Sequence, residues 1–401
     1  MQKKLIALAV AGLLSAPAFA QSNVTLYGTI DYGYVSLGSN YEKDVKSRNA
    51  LESGVSKANR IGVKGVEDLG NGLKAVFVLE NGMTGDNTGG VAKSSNTGFF
   101  NGVNRQSYAG LAGAFGTVAF GRQYTPQHLF TASVDPFGKQ GLGGAGNVLF
   151  QDRRLNNLAA YISPDWGGFK FIAGYTFAGA PLSTFGGAVL GTKDENIENN
   201  NDVRVWAFAP SFTWNNLFVG ANYHSAKLNR DNDAGGVGRK GISALNSIDL
   251  FASYDFGIVK VGSAIGRRTT KKDAINALAG APVADKDGKI TQWMIGATFR
   301  ITPSDSIMTS YSRTSENKLY NNSDKVRINQ FAVGYEHALS KRTALYSQFS
   351  MIGRNNAVKD GGWFSTVGDT GDVGDVMASV ANGASGMDYR RGFTVGMRHD
   401  F

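Results

Sequence analysis

The sequence has no cysteine, which excludes a disulfide framework and any metal site built on thiolates. Proline is also scarce, at 8 of 401 residues. Beyond residue 20 there is no apolar run near the roughly 20 residues that a membrane-spanning helix needs, and mean hydropathy is −0.19. A helical membrane protein is therefore excluded. No linker, charge block or change of composition divides the chain, which favours one large domain.

Glycine and aromatic residues are abundant. There are 53 Gly, 24 Phe, 15 Tyr and 5 Trp, and the glycine content is nearly twice the usual value of about 7%. The formal charge is +9 and the pI is 9.4. Such basic values are typical of nucleic-acid-binding proteins. The basic residues are dispersed, however, without a basic helix or an aromatic stacking platform. We therefore expect no nucleic-acid partner.

Residues 1–20 have the pattern of a secretory signal peptide. Lys3 and Lys4 precede a short apolar core over 5–14, and Ala18-Phe19-Ala20 supplies a small-x-small cleavage pattern. Ten apolar residues are too few to span a membrane as an anchor. We expect this segment to be removed, which leaves 21–401 as one domain with a formal charge of +7.

Apolar and polar residues alternate along the last stretch of the chain, DYRRGFTVGMRHDF (388–401). Phe393, Val395 and Met397 fall on one face of a strand, and Thr394 and Arg398 fall on the other. The stretch NVTLYGTIDYGYVSL (23–37) alternates in the same way. Such alternation, with a polar average composition, is typical of a transmembrane β-barrel that has lipid on one side and water on the other.

Short turns and long polar loops follow each other along the chain. The seven short turns are predicted near 68–72, 113–116, 164–168, 214–216, 255–257, 302–305 and 339–342. The eight long loops are predicted near 38–58, 81–103, 124–152, 178–202, 228–243, 269–288, 315–325 and 354–387. This pattern predicts an all-β, antiparallel barrel of 16 strands. A barrel of that size leaves an aqueous channel.

Aromatic residues cluster near the predicted strand ends and turns. They are Trp166, Trp214, Tyr32, Tyr34, Tyr175, Phe177, Tyr254, Phe256 and Tyr335. This placement favours a girdle at the membrane interface, since such side chains have an apolar body and often a polar tip. Ordinary β-propensity is the alternative.

Motifs for catalysis or cofactor binding are weak. The four histidines are His128, His224, His337 and His399. His224 adjoins Ser225, but neighbours on a strand point to opposite faces and cannot form a dyad. Residues 141–146 match GxGxxG, but the strand, the helix and the acidic residue of a dinucleotide site are missing. We expect no cofactor and no metal, and a hydrolase is a minor alternative. An adhesin-like surface role stays open because of the long loops.

Several stretches together resemble the general diffusion porins of Gram-negative bacteria, of the Neisseria, Bordetella, Burkholderia and Comamonas type. They are NVTLYGTIDYGY, NRIGVKGVEDLGNGLKAVFVLE, RQSYAGLAGAFGTVAFGRQYTP, PDWGGFKFIAGY and the C-terminal VGMRHDF. The resemblance implies a homotrimer of 16-stranded barrels in the outer membrane. It also implies that Phe401 is part of the signal that the barrel assembly machinery reads.

The resemblance further implies that the third long loop, 124–152, folds into the lumen and narrows it. Within it, Asp135, Pro136, Phe137 and Gly138 form a variant of the family's PEFG motif, with Asp135 in place of glutamate. Lys139 adjoins this acidic group and weakens the expectation that Asp135 forms a negative side of the pore.

Arginines on the opposite wall are implied by the same resemblance. Arg60, Arg105 and Arg154 match the family's positions, and Lys64 lies on the face of Arg60. Strand parity independently places Arg60 and Arg105 opposite the apolar faces of their strands. Arg153 competes with Arg154 for the lumen position. The alternative is that these arginines snorkel at the membrane edge or are plain solvated charges.

Arg122 resembles a pore arginine of enteric porins, but its parity matches the apolar Val118 and Phe120. A bulge at Gly121 would reconcile the two. With the positive charge of the mature chain, the arginines predict passive diffusion of small hydrophilic solutes with a preference for anions.

Overall fold

The structure is a computed structural model that describes residues 23–40, 47–83, 105–149, 154–177, 202–230, 239–274, 285–317, 325–355 and 389–401. The predicted signal peptide and most of the predicted long loops lie wholly or partly outside these residues. In the described part of the chain, no helix has the length and apolar character needed to cross a membrane.

Seventeen strands form one antiparallel sheet. They are β1 (Asn23–Asn40), β2 (Arg48–Ser53), β3 (Arg60–Gly70), β4 (Leu73–Gly82), β5 (Ser107–Gly113), β6 (Gly116–Tyr124), β7 (Arg154–Ile162), β8 (Phe169–Thr176), β9 (Asp202–Trp214), β10 (Leu217–Arg230), β11 (Arg239–Asp255), β12 (Val259–Thr270), β13 (Gly288–Arg300), β14 (Asp305–Glu316), β15 (Val326–Ala338), β16 (Thr343–Arg354) and β17 (Tyr389–Asp400). Each strand from β3 to β17 pairs with the next, and β17 pairs with β1. The sheet is therefore a closed barrel.

The barrel has 16 positions around its circumference, as predicted. The first half of β1 pairs with β3 and its second half with β2, so that β2 and β3 occupy one position. The predicted loop 38–58 is wrong over Arg48–Ser53, because RNALES alternates and continues the ladder. Between β2 and β3 the chain turns at Gly54, which has a φ of 72°. Asp31 holds this turn by accepting hydrogen bonds from the N–H groups of Ser56 and Lys57.

All seven predicted short turns join paired strands. The alternation of the last strand is also confirmed. The Met397 side chain is 51% exposed on the outer face, whereas Thr394 is fully buried on the inner face. The nine aromatic residues predicted for the girdle are all exposed.

Phe401 completes the barrel next to the first strand. Its N–H donates to the carbonyl oxygen of Gly28, and the Gly28 N–H donates to the Phe401 oxygen, both at 3.1 Å. The Phe401 ring lies over Gly28 in the space that a β-carbon would fill. Glycine is therefore required at position 28 for this closure.

Helix α1 (Pro126–Val134) and a 3-10 turn (Ala145–Asn147) lie between β6 and β7. The Thr125 hydroxyl caps the helix by accepting from the His128 N–H, and Pro126 starts it. Phe130 and Val134 pack against Ala209, Phe251, Ala264 and Met294 of the inner wall. This cluster fixes the segment that follows β6 onto the inner face of the sheet.

Candidate functional site

Arg105 and Glu80 form a buried ion pair inside the barrel. The Nε of Arg105 donates to a Glu80 carboxylate oxygen at 2.5 Å, and the Arg105 residue is only 1% exposed. Arg105 is an even number of positions before Leu111, whose side chain is exposed on the outer face of β5. Strand parity would therefore place Arg105 on the outer side, contrary to the prediction. Arg105 reaches the inner side because it lies in a bend before β5 begins.

Tyr124 links Arg105 to Arg154. Its hydroxyl oxygen accepts from Arg105 Nη2 at 2.9 Å and from Arg154 Nη2 at 2.6 Å. The Arg154 guanidinium also lies 4.3 Å from the centre of the Tyr124 ring, a cation–π contact. His128 of α1 stacks on the same ring at 4.5 Å. The arginine pair and the helix are thus held by one tyrosine.

Arg60 completes this basic cluster. The β1–β3 register pairs Arg60 with Thr29 and Lys64 with Thr25, on the inner side, as their parity predicts. Arg60 Nε lies 3.8 Å from Glu80, and its side chain is 17% exposed. Lys64 lies over the ring of Tyr27, 5.3 Å from its centre, and the Tyr27 hydroxyl donates to Glu80 at 3.0 Å.

Glu80 and Tyr124 were not predicted as site residues. The signal for Glu80 was its position with Lys74 on the polar side of the strand Leu73–Gly82. No pattern marked Tyr124, because its role depends on where the chain leaves β6.

The Arg122 guanidinium donates a hydrogen bond to the side-chain oxygen of Asn156, at 2.5 Å. The β6–β7 register shifts between Gly121 and Gln123, where the bulge was predicted. The extra residue belongs to β7, however, and Arg122 pairs with Ser107. Arg153 lies outside the described residues.

Asp135 lies in the interior of the segment that follows β6. Its carboxylate accepts hydrogen bonds from the N–H groups of Phe137, Lys139 and Ala145, at 2.8–3.1 Å. Burial raises the pKa of Asp135 to about 6, against the lowering effect of these bonds and of the Lys139 charge. The carboxyl group therefore organises the segment's backbone and does not present its charge to open water.

The same segment, 125–149, crosses the inner wall from β9 towards β17. Gln127 donates to Asp249 of β11, Thr314 of β14 donates to the carbonyl oxygen of Val148, and Gln330 of β15 donates to that of Leu142. The Gly143 N–H donates to Gln348 of β16. The GxGxxG stretch lies within these contacts, so its glycines bring the backbone close to the wall.

The fold and the polar inner face match those of known channel proteins. A family model for Gram-negative porins matches residues 7–357. The chain belongs to the Gram-negative porin family.

One relative of this porin covers its full length. The porin is 30% identical over 410 aligned residues to outer membrane porin protein 32 of Delftia acidovorans, with 100% of both chains covered. It is also 30% identical over 386 residues to an outer membrane porin of Bordetella pertussis, covering 86% of this chain and 93% of the relative. The solved anion-selective porin from Comamonas acidovorans gives a TM-score of 0.69 at 26% identity, covering 95% of this chain and 100% of that one.

The porin is thus a channel of the Gram-negative outer membrane and not an enzyme. A water-filled barrel removes most of the free-energy cost of moving a polar solute through hydrocarbon.

The His224 side chain has a structural role. Its Nδ1 lies 3.1 Å from the Asn222 amide, in a buried polar group with Asp249 under α1.

Proposed function

We propose that this porin prefers anions, and that Arg60, Arg105 and Arg154 create the preference. The observation that carries the proposal is the cluster of these arginines around Glu80 and Tyr124, where the chain leaves β6 for the inner wall. The anion-selective porin of Comamonas acidovorans supports it by analogy.

The proposed constriction lies between this cluster and segment 125–149. At physiological salt the Debye length is about 8 Å, so wall charges act across a narrow passage but are screened in a wide vestibule. Arg105 and Arg154 are at least 95% buried, and they act on solutes through their field. Arg60 has the most accessible side chain of the three arginines and would meet passing anions directly.

Replacing Arg60 with glutamine is expected to lower the chloride-to-potassium permeability ratio about tenfold. One charge about 6 Å from a permeating ion in water contributes about 0.7 kcal/mol, favourable for chloride and unfavourable for potassium, so its removal changes the ratio by about 1.4 kcal/mol. The measurement is the reversal potential across a salt gradient in planar bilayers. Arg267→Gln is the matched control, because Arg267 is an exposed arginine on the outer face of β12. Cation preference in the wild type, or equal ratios in both variants, would overturn the proposal.

We also propose that the functional unit is a homotrimer, on the basis of family resemblance. Closure of the purified channel in three equal conductance steps would support it. A barrel without open-channel conductance would favour the adhesin-like alternative.

Phe401 is proposed to be part of the signal that the barrel assembly machinery reads, and residues 1–20 to be the export signal. Deleting Phe401 is expected to reduce the folded fraction severalfold, since the last pair of bonds to Gly28 and the ring over it are lost. The folded fraction can be measured by heat-modifiable mobility on gels. Phe393→Ala, which removes an exposed ring from the same strand, is the control. Equal folding of the deletion variant and the wild type would contradict the role.

A further inference from the structure

A row of glycines on the inner wall lies beneath segment 125–149. Apolar residues of the segment meet glycines on five strands of the wall, in the order of these strands around the barrel. The pairs are Phe130 with Gly220 of β10, Val134 with Gly262 of β12, Pro136 with Gly296 of β13, Phe137 with Gly334 of β15, and Leu142 with Gly392 of β17. The order along the segment is the order of the strands, so the segment follows this row around the wall.

Each of these glycines lies where a β-carbon would press on the segment. At Gly262 it would overlap the carbonyl oxygen of Val134. At Gly296 it would come within 2.7 Å of Cδ and Cγ of Pro136, and at Gly334 within 2.7 Å of the Phe137 ring. In a C–H···O contact the carbon and oxygen atoms are about 3.3–3.6 Å apart. Any side chain at these positions would therefore require the segment or the wall to move.

Strands without such a glycine hold the segment by polar groups. Asp249 of β11 accepts from Gln127, Ser310 of β14 donates to the carbonyl oxygen of Gly143, and Gln348 of β16 accepts from the Gly143 N–H. The wall thus combines positions that permit close approach with positions that fasten the segment. The glycines thus allow the segment to lie close to the wall, and the hydrogen bonds prevent it from moving away.

We propose that this glycine row sets the width of the channel, and with it the size limit for hydrophilic solutes. The proposal rests on the proposed constricting role of segment 125–149. Each strand of the closed sheet is hydrogen-bonded to a neighbour on both sides and is closely packed, so the wall does not expand to make room for an added group. A methyl group on the wall therefore displaces the segment towards the channel axis.

The first test compares Gly296→Ala with Gly353→Ala. The β-carbon at position 353 would be 3.8 Å from its nearest neighbour, an Asn329 nitrogen, so this control adds a methyl group without displacing anything. Gly296→Ala is expected to lower single-channel conductance by about one third, since conductance follows the cross-section of the narrowest point. It should also slow the uptake of larger neutral sugars in liposome swelling. Conductance equal to that of the control, or higher than the wild type, would overturn the proposal.

A second substitution on the segment separates a spatial effect from poor folding. Pro136→Ala removes Cγ and Cδ, the two atoms of the segment that a β-carbon at position 296 would meet; the third neighbour, at 2.9 Å, is the Thr309 carbonyl oxygen of the adjacent strand. The double variant Gly296→Ala, Pro136→Ala is therefore expected to regain most of the wild-type conductance. Absence of this recovery in a folded double variant would contradict the proposed spacing.

Leu129→Trp distinguishes failure of this inference from failure of the constricting role. Leu129 is 41% exposed on α1, so a larger side chain there adds bulk without pressing on the wall. Lower conductance in Leu129→Trp with no change in Gly296→Ala would overturn the glycine proposal alone. No change in either would overturn both.

Discussion

Replacing Glu80 with alanine is expected to destabilise the barrel by about 3–5 kcal/mol, the usual result of removing one partner of a buried ion pair. The change leaves the buried guanidinium of Arg105 without its carboxylate and removes the acceptor of the Tyr27 hydroxyl. The free energy of unfolding can be measured by urea titration of the protein refolded in detergent.

Two further substitutions at glutamate positions make this prediction specific. Glu67→Ala removes an exposed carboxylate at the end of β3, and little change is expected. Glu80→Gln keeps an acceptor without the negative charge, so it should fold better than Glu80→Ala. Its chloride permeability ratio should rise above the wild type, because Arg60 and Arg105 lose their counter-charge. A wild-type ratio in Glu80→Gln would indicate that this pair does not influence permeating ions.

Replacing Asp135 with alanine is expected to loosen segment 125–149, at a cost on the order of 5 kcal/mol to its bound conformation. Three backbone N–H groups lose a charged acceptor, and each such bond contributes about 1.5–3 kcal/mol. The expected result is a channel with frequent current fluctuations in single-channel recordings. A matched Ser133→Ala change, at an exposed position of α1, should leave the recordings quiet. Equal noise in both variants would be inconsistent with an anchoring role.

The raised pKa of Asp135 gives this loosening a pH dependence. The folded protein binds the Asp135 proton more tightly than the unfolded chain, since burial raises the pKa from 3.8 to about 6. The contribution of the protonated Asp135 carboxyl group to the stability of the folded state is therefore present below about pH 4 and is lost as the pH rises through 6. The Lys139 ammonium lies 3.3 Å from Nδ1 of His128 within the same segment. We expect fewer fluctuations at pH 5 than at pH 7.5 in the wild type and a smaller difference in Asp135→Asn, which isolates this group.

The barrel could be predicted from the sequence because its outer surface follows a two-residue period and its turns are short. Both properties are local, so strands such as β17 were readable directly from the sequence. The segment Arg48–Ser53 was missed because six residues after a polar loop carry too little alternation to stand out.

The candidate site could be predicted only in part. Arg60 follows strand parity, but Arg105 leaves its strand at a bend, where parity has no meaning. The partnership of Glu80 with Arg105 and the bridging position of Tyr124 depend on contacts between strands. Asp135 was identified by motif, but its burial depends on how residues 137–145 fold back over it. These properties arise from tertiary packing, which no local pattern records.

The pairing of the first strand with the last has a consequence for how the molecule forms. Thr29 donates a hydrogen bond to Asp400, 371 positions away along the chain. Contacts between such distant residues give the fold a high contact order, and their loop-closure entropy is lost before they contribute any stability. Until the last strand pairs with the first, every folding intermediate has two unsatisfied ladder edges, which are prone to aggregation. Ring closure is thus a late and slow event, and the polypeptide needs protection until these two edges meet.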